Sequence, residues 1–303
     1  MALEVAIMIE GQANLDWPAW KRIVRAVEDL GFAGLHRSDH FVGPQPPDQN
    51  SLELWVSLTW LADHTDWITF GPLVSPVSFR HPAMTARMAS QVDSLSNGRL
   101  VLGLGAGWIE REHRMFGYDL LDAPGRSNRF QEALEVITRL LRSDEPVTFD
   151  GEYYQFHDAV LLPRPRYPDK PPILIGGNGP RRTLPLAAHY ADEWNADHLS
   201  AERFAERSHQ LDTLLLQEGR RPEDVRRSLM TGLVFGKNDA KVRQKLDGRN
   251  ADDLRANGIV VGTSSEVVDQ LGVLEKVGVQ RVMLQWLSVD DIDGLEVFAQ
   301  AVL

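Results

Sequence analysis

The chain contains no cysteine in its 303 residues. Disulfide bonds, thiolate nucleophiles, iron–sulfur clusters and zinc sites built on cysteine are therefore excluded. Long hydrophobic runs are missing as well, because no apolar stretch approaches the roughly 20 residues that span a bilayer. The N-terminus lacks a basic segment followed by an apolar one, so no secretory signal is visible. These absences predict a cytoplasmic protein.

Basic residues are in the minority. The 32 Lys and Arg residues against 43 Asp and Glu residues give a formal net charge of -11. Such an acidic chain is unsuited to non-specific binding of nucleic acid or anionic membranes. It can still bind a small anion, because a local group of backbone N–H donors can outweigh a distant net charge. We therefore expect a small-molecule substrate as the partner, with neither nucleic acid nor membrane.

Several catalytic signatures are also absent. The sequence has no His-Glu-x-x-His helix, no His-x-His after the first predicted strand and no Gly-x-Ser-x-Gly elbow. His36 and His40 are four residues apart, but they lie on a strand-to-loop segment and need not converge. We therefore predict no metal site.

What the chain does have is an uninterrupted alternation of short apolar runs and longer helical patterns. In residues 17–30, apolar side chains recur at helical spacing, and the pattern stops at Gly31, a favourable residue just past a helix end. Eight strand-and-helix units follow one another without a linker rich in Pro, Gly or Ser. The predicted strands are 3–9, 32–36, 67–75, 99–104, 172–175, 193–196, 228–235 and 282–286.

This order predicts a single (β/α)8 TIM barrel over residues 1–303. A doubly wound sheet is the competing fold, but it rarely needs eight units in one run. We expect insertions after strands 4 and 7. The first is a hairpin-like stretch at 147–162 with a proline-rich connector at 163–172, and the second is an extra helix at 239–255. In such a barrel, functional residues lie at the C-terminal ends of the strands.

The second strand ends at Asp39-His40. Histidine has an ordinary pKa near neutrality and can serve as an acid or a base. Neighbouring residues at a strand end point to opposite sides, so one of this pair can face a cofactor and the other a substrate. Glu10 ends the first strand. A carboxylate there has two alternative roles: it acts as an acid or a substrate ligand, or it is only a charge on a solvated loop.

The third strand ends at Ser75-Pro76-Val77, where proline cannot join the hydrogen-bond ladder and marks a bulge or a tight turn. A Ser75–Pro76 bond takes the cis form at low cost, whereas a cis bond at Pro76–Val77 would indicate function.

The fourth strand ends in a glycine-rich stretch, residues 103–108. Its glycine spacing differs from the dinucleotide-binding fingerprint. The small residues Gly105, Ala106 and Gly107 instead open space for a flat ligand at the strand end. Trp108 then either forms a wall of the pocket or caps the core of the barrel.

The fifth strand runs into glycines, a predicted helix start and two arginines. This arrangement offers free N–H groups at the positive end of a helix dipole, which is the composition of a phosphate site. It lacks the Gly-Lys-Ser/Thr of a P-loop, and the remaining alternative is a simple tight turn. The candidate phosphate residues are Gly176, Gly177, Asn178, Gly179 and Arg181.

Taken together and in order, these motifs resemble the bacterial luciferase-like flavin and deazaflavin oxidoreductases. The resemblance covers nearly the whole chain and is closest to the branch that uses coenzyme F420, a deazaflavin with a phosphate-linked oligoglutamate tail. The motifs that carry it are Ile-Glu-Gly-Gln at 9–12, Arg-Ser-Asp-His-Phe at 37–41, Phe-Arg-His-Pro at 79–82, Asp-Ser-Leu-Ser-Asn-Gly-Arg at 93–99, Gly-Leu-Gly-Ala-Gly-Trp at 103–108, Pro-Ile-Leu-Ile-Gly-Gly at 172–177 and Ala-Asp-Glu-Trp-Asn at 191–195.

The resemblance implies roles for residues that the strand ends had already singled out. Asp39 would contact the deazaflavin headgroup, and His40 would be the acid/base on the substrate side. The bulge at 75–77 would lie behind the ring, with a non-prolyl cis bond at Pro76–Val77. The stretch 105–107 would lie beside the cofactor, and the loop at 176–179 would hold its phosphate.

These roles predict a coenzyme F420-dependent oxidoreductase. It would move hydride between the deazaflavin and a small carbonyl, alcohol, imine or activated alkene. The alternatives are an FMN-dependent monooxygenase of the same superfamily and a cofactor-binding protein without turnover. Members of the family are often homodimers.

The chain departs from some relatives at Trp108, where they carry a glutamate. Glu10, Glu110 and Glu112 are the substitutes for the second acid/base. The later loops offer few basic residues apart from Arg181 and its neighbour, which the cofactor phosphate would occupy. We therefore expect a substrate without a phosphate group.

Overall fold

The computed structural model describes residues 3–165 and 171–303, and these alternate between strands and helices as the sequence predicts. Residues 166–170 of the proline-rich connector predicted at 163–172 lie outside the described residues. The strands are β1 Glu4–Ile9, β2 Gly34–Arg37, β3 Thr69–Pro72, β4 Ser75–Pro76, β5 Leu102–Gly105, β6 Val147–Asp150, β7 Gln155–Ala159, β8 Ile173–Gly176, β9 Glu193–Asp197, β10 Arg226–Phe235, β11 Val260–Gly262 and β12 Arg281–Gln285. The helices are α1 Trp17–Asp29, α2 Leu54–His64, α3 Pro82–Leu95, α4 Glu110–Phe116, α5 Ala123–Arg142, α6 Thr183–Tyr190, α7 Ala201–Gln217, α8 Asp239–Leu246, α9 Ala251–Ala256, α10 Ser264–Lys276 and α11 Ile292–Val302.

The main sheet is parallel and runs in the order β3-β2-β1-β12-β10-β9-β8-β5-β4, with β11 beside β10. The two short strands β3 and β4 together occupy the third barrel position. The ring closes between β3 and the start of β5, where the Val101 N–H donates to the Phe70 carbonyl at 2.8 Å. The (β/α)8 TIM barrel is therefore confirmed.

Glycine makes this closure possible. A Cβ on Gly71 would overlap the Val101 carbonyl, and one on Gly103 would overlap the Pro72 carbonyl. Only a residue without a side chain lets the two backbones approach so closely.

The core has two parts, because alternate residues of each strand point into the barrel or outward to the helices. The outer part holds most of the buried apolar residues, including Trp20 and Phe70. The inner part fills the barrel below its mouth and consists of Ala6, Met8, Leu73, Val101, Leu174 and Met283.

Both predicted insertions are present. After the fourth barrel strand and α5, β6 and β7 form an antiparallel hairpin. After β10 come α8, α9 and β11. The single helix predicted at 239–255 is wrong, since α8 ends at Asp247, whose φ of 49° lies in the left-handed region. Helix α4 was not predicted.

The expected cis bond at Pro76–Val77 is wrong. In the structure the non-prolyl cis peptide is Leu73–Val74, three residues earlier. Pro76 and Val77 instead continue the parallel ladder beside β5, because the Val77 N–H donates to the Gly105 carbonyl at 3.0 Å.

Among the described residues, no helix combines the length and the apolar character that crossing a bilayer requires.

Candidate active site

The C-terminal ends of the barrel strands surround a cavity of about 570 Å³, which we call the central cavity. Every barrel position contributes to its wall, as expected for this fold. It is lined by Met8, Glu10, Gln12, Ser38, His40, Pro44, Leu73, Val74, Pro76, Gly105, Ala106, Gly107, Trp108, Gly176, Gly177, Asn195, Asp197, His198, Met230 and Gln285.

His40 lies in this wall and is bonded to a buried carboxylate. Its Nδ1 is 2.8 Å from Oε1 of Glu112, and the Phe41 N–H donates to Oε2 of Glu112 at 3.1 Å. The Glu112 side chain is completely buried, whereas 11% of the His40 side chain is exposed. A carboxylate at Nδ1 favours the tautomer with a proton there, which leaves Nε2 as the ring nitrogen available to a ligand.

Glu112 is therefore the glutamate that contacts His40. Of the three substitutes considered, Glu110 lies in the first turn of α4 and is exposed, while Glu112, two residues further on, turns inward. Because two residues separate these side chains by about 200° around a helix, only one of them can face His40.

Helix α4 is held in place by His113, which sequence reasoning missed. Its Nδ1 bonds to the Ile109 carbonyl at 2.7 Å, and its Nε2 is 2.7 Å from the Ser78 hydroxyl. The side chain is buried, so both contacts are shielded from water. These bonds fix the rotation of α4 and with it the direction of Glu112. The adjacent Glu-His pair was the available signal in the sequence.

Trp108 forms a wall of the central cavity and does not cap the barrel core. Its ring meets the His40 ring edge-on, with centroids 5.9 Å apart and planes at 87°. The residue is 62% exposed. The second alternative from the sequence is therefore wrong, because a cap on the core would be buried.

Two further polar groups face the cavity. Glu10 accepts hydrogen bonds from Gln12 at 2.9 Å and from Gln285 at 2.6 Å. The Nδ1 atom of His198 lies 2.6 Å from Oδ1 of Asp197. This hydrogen bond raises the pKa of His198, and the negative charges of Asp197 and Glu10 add to the effect. His198 was not singled out from the sequence.

Asp39 is next to His40 in sequence but does not line the cavity. Its buried carboxylate accepts from the Ser75 hydroxyl at 2.8 Å and from Arg80 at 2.5 Å. Arg80 also reaches Glu53, the N-cap residue of α2, at 2.6 Å. Through Arg80, Asp39 thus links the ends of the second and third barrel strands to α2. Its contact with a cofactor ring stays a prediction.

The floor of the cavity is flat and apolar. Val74 lies against two glycines, since a Cβ on Gly105 would be 2.5 Å from one Val74 methyl and a Cβ on Gly176 would be 3.0 Å from the other. Of the predicted bulge, Pro76 lines the cavity, while Ser75 and Val77 do not. Leu73 and Val74 supply the rest of the surface.

A smaller pocket of about 270 Å³, here called the side pocket, adjoins the central cavity. The two share four wall residues: Ala106, Gly107, Trp108 and Gly176. The side pocket adds Arg126 and Ser127 from α5, and Arg182 and Thr183 at the start of α6. No side chain caps the N-terminus of α6. Few of its N–H groups are open to an anion, however, because the Leu184 N–H donates to the Gly179 carbonyl at 3.0 Å and Pro185 has no N–H, which leaves the Thr183 N–H.

Only part of the loop before α6 lines the central cavity. Gly176 and Gly177 line the cavity, whereas Asn178 bonds to the backbone of Asp197 through both its amide nitrogen (2.7 Å) and its oxygen (3.0 Å). Gly179 lies close to Thr183, and Arg181 lines neither the cavity nor the side pocket. Arg182 is the arginine that reaches the side pocket.

A flat ring on the apolar floor and a phosphate in the side pocket fit this pair of spaces. A metal fits less well, since within residues 3–165 and 171–303 no three His, Asp or Glu side chains gather to hold an ion.

Comparison with known proteins finds several curated relatives. An F420-dependent glucose-6-phosphate dehydrogenase of Intrasporangium calvum is 35% identical over 174 residues, 55% of this chain and 48% of the relative. A 4-hydroxyprotoasukamycin monooxygenase of Streptomyces nodosus is 36% identical over 151 residues, 50% of this chain and 38% of the relative. The chain thus spans about half the length of these curated relatives or less. A 5,10-methylenetetrahydromethanopterin reductase of Archaeoglobus fulgidus is 30% identical over 83% of this chain and 69% of the relative.

Solved structures show the same fold at low sequence identity. An F420-dependent secondary alcohol dehydrogenase, in complex with an F420-acetone adduct, superposes with a TM-score of 0.87 at 19% identity, covering 100% of this chain and 98% of the other. The family model described as luciferase-like monooxygenase matches residues 4–254. The chain belongs to the luciferase-like monooxygenase family.

Proposed function

We propose that this protein is a coenzyme F420-dependent oxidoreductase that transfers hydride between the deazaflavin and a small organic substrate. The observation that carries the proposal is the His40–Glu112 pair, which presents one imidazole nitrogen to a cavity with a flat apolar floor. The F420-dependent names among the relatives support the choice of cofactor.

The cofactor ring would rest on Val74, Gly105 and Gly176, with its phosphate in the side pocket. Arg126 and Arg182 would pair with that phosphate, and the Thr183 N–H at the start of α6 would add a hydrogen bond. When bound, a deazaflavin supplies or accepts the hydride.

His40 would handle the proton that accompanies this transfer. Its Nε2 would give a proton to a substrate oxygen or nitrogen, or take one from it, depending on the direction of the reaction. Glu112 would hold Nδ1 and fix the tautomer and direction of the ring, much as a buried aspartate orients the histidine of a catalytic triad. Trp108 would restrict the approach of water to this nitrogen.

A second candidate is an FMN-dependent monooxygenase. The match to a monooxygenase of Streptomyces nodosus and the family description favour it. The same floor and side pocket would accept FMN, whose tail also carries a phosphate.

A substrate panel tests the proposal. Alcohols, carbonyls, imines and activated alkenes are incubated anaerobically with oxidised or reduced deazaflavin, and the absorbance of the cofactor is followed. Turnover that His40→Ala lowers, with cofactor affinity unchanged, supports the proposal. Turnover only with reduced FMN and oxygen would support the second candidate, and binding without turnover on the whole panel would indicate a protein that only carries its cofactor.

A further inference from the structure

A second cavity of about 350 Å³ adjoins the central cavity, and we call it the basic chamber. The two spaces share His198 and Gln285, so a ligand can extend from one into the other. The chamber lies at the ends of β10 and β12. It is separate from the side pocket, which adjoins the central cavity through residues at the ends of β5 and β8.

The charged groups of the basic chamber all have one sign. Among the residues that the structure describes, the ionisable ones in its wall are His198, Lys245 and Arg249, and none of them is a carboxylate. This is notable in a chain with a net charge of -11. The central cavity differs, because Glu10 and Asp197 lie in its wall. An anionic group would therefore be favoured in the chamber over the centre of the site.

The two cations of helix α8 and its end are not equally available. Lys245 is already paired with Asp291 at 2.9 Å. Arg249 donates from Nε and Nη2 to the backbone carbonyls of Leu246 and Lys245, each at 2.9 Å. Among the described residues, Arg249 has no carboxylate partner, and its Nη1 makes no hydrogen bond. Of the cations that line the chamber within the described part of the chain, it is the one without a carboxylate partner.

Apolar side chains also line the chamber. Leu233, Ile259 and Trp286 contribute to its wall, and the Lys245 ammonium lies 5.2 Å from the centroid of the Trp286 ring. Such a surface suits a hydrocarbon chain or ring between the junction and the cation.

The junction itself is held by hydrogen bonds. Asn178 bonds to the backbone of Asp197, and Asp197 bonds to the His198 ring. His198 has a φ of 48°, in the left-handed region, and its N–H donates to the Met230 carbonyl at 2.9 Å. The imidazole is thus fixed where the two spaces meet.

We propose that the substrate is elongated, with the reacting group at His40, an apolar body passing His198 and Gln285, and a carboxylate or phosphate bound by Arg249 in the basic chamber. This inference depends on the proposed function only in placing the reacting group of the substrate at His40. It also departs from the expectation that the later loops lack basic residues for an anionic substrate, because Lys245 and Arg249 lie in and just after α8, a helix that the sequence did not link to the site.

The test compares ω-oxo carboxylates of increasing chain length, their methyl esters and the matching phosphate monoesters. Each is assayed with the wild-type holoenzyme, with Arg249→Gln and with Arg243→Gln, an exposed residue of α8 that makes the same charge change outside the chamber. We expect the wild-type enzyme to prefer an acid over its ester. In Arg249→Gln, the KM for that acid should rise about tenfold with kcat nearly unchanged, which is the loss of one charge-assisted hydrogen bond. Arg243→Gln should behave like the wild type, and the carboxylate and phosphate series identify which anion is used.

Calorimetric binding of the same compounds to the protein, with cofactor affinity measured on each variant, separates this inference from the proposed function. Acid binding that Arg249→Gln weakens supports the chamber even if no deazaflavin binds. Equal KM and binding constants for acids and esters would overturn the chamber, whatever the cofactor. So would a loss of cofactor affinity in Arg249→Gln, which would assign the chamber to the cofactor tail.

Discussion

The Nδ1 atom of His40 lies 2.8 Å from Oε1 of Glu112, a carboxylate that is completely buried. The same carboxylate binds the Phe41 N–H, so it fixes both the ring and the backbone of this strand end. The pair joins a loop residue to helix α4 across 72 positions of the sequence. It gives His40 an orientation that a solvated loop histidine would not have.

Replacing Glu112 by Gln should lower kcat about 10²-fold, because an amide has one acceptor oxygen and cannot accept from both the His40 ring and the Phe41 N–H, so it no longer fixes the ring. Cofactor affinity should stay within twofold of the wild type, roughly the error of such comparisons. Glu110→Gln is the matched control, since this neighbour is exposed and should change neither quantity. Steady-state kinetics and a cofactor titration measure both. A fully active Glu112→Gln protein would remove the pair from the mechanism.

The two adjacent arginines before α6 should differ in their effect on cofactor binding. Arg182→Gln should weaken it about tenfold, because one charged contact to the phosphate is lost. Arg181→Gln should have little effect, since Arg181 lines neither the central cavity nor the side pocket. Fluorescence titration of both variants checks this. Equal losses would mean that the side pocket does not hold the phosphate.

The barrel closure should depend on Gly103. A methyl group there would overlap the Pro72 carbonyl, so Gly103→Ala should lower the free energy of unfolding by about 2–3 kcal/mol. Gly272→Ala in α10 is the control, because a Cβ there meets nothing within 4 Å. That change should be neutral or stabilise the fold by about 0.5–1 kcal/mol. Urea unfolding of both variants gives the two values, and a neutral Gly103→Ala protein would refute the steric argument.

His36 should make the fold sensitive to acid. Burial, and then the charge of Arg281, lower the pKa of His36 to about 3, from an ordinary value of 6.5. The folded protein keeps this ring neutral, whereas the unfolded chain binds a proton as the pH falls below about 6.5. The stability that His36 contributes is therefore complete above pH 6.5 and is lost progressively toward pH 3.

The variant His36→Leu removes this titration. Between pH 7 and pH 5, the wild-type protein should lose about 2 kcal/mol more stability than the variant, because one proton changes the free energy by about 1.4 kcal/mol per pH unit. Urea unfolding at the two pH values measures the difference. Identical losses in both proteins would show that folding does not lower the pKa of His36.

The sequence was sufficient to find the barrel and the position of His40. The eight strands could be counted from their apolar runs, and His40 directly follows one of them, so the fold places it at the mouth. Glu10, Gly105 and Gly176 were located for the same reason.

The partners of these residues could not be found in this way. Glu112 and Arg126 come from helices, where the inward face depends on rotation about the helix axis and not on nearness to a strand end. Asp39 shows that nearness to a strand end does not settle direction either, because its carboxylate turns to Arg80 and Ser75. Choosing between Arg181 and Arg182 likewise required the exact start of α6.

The central claim concerns the cofactor, and an equilibrium titration of the purified protein with coenzyme F420 and with FMN, followed by fluorescence, tests it most directly. The account predicts saturable binding of the deazaflavin that is tighter than binding of FMN and is weakened by Arg182→Gln. Tight binding of FMN with no binding of the deazaflavin would contradict it.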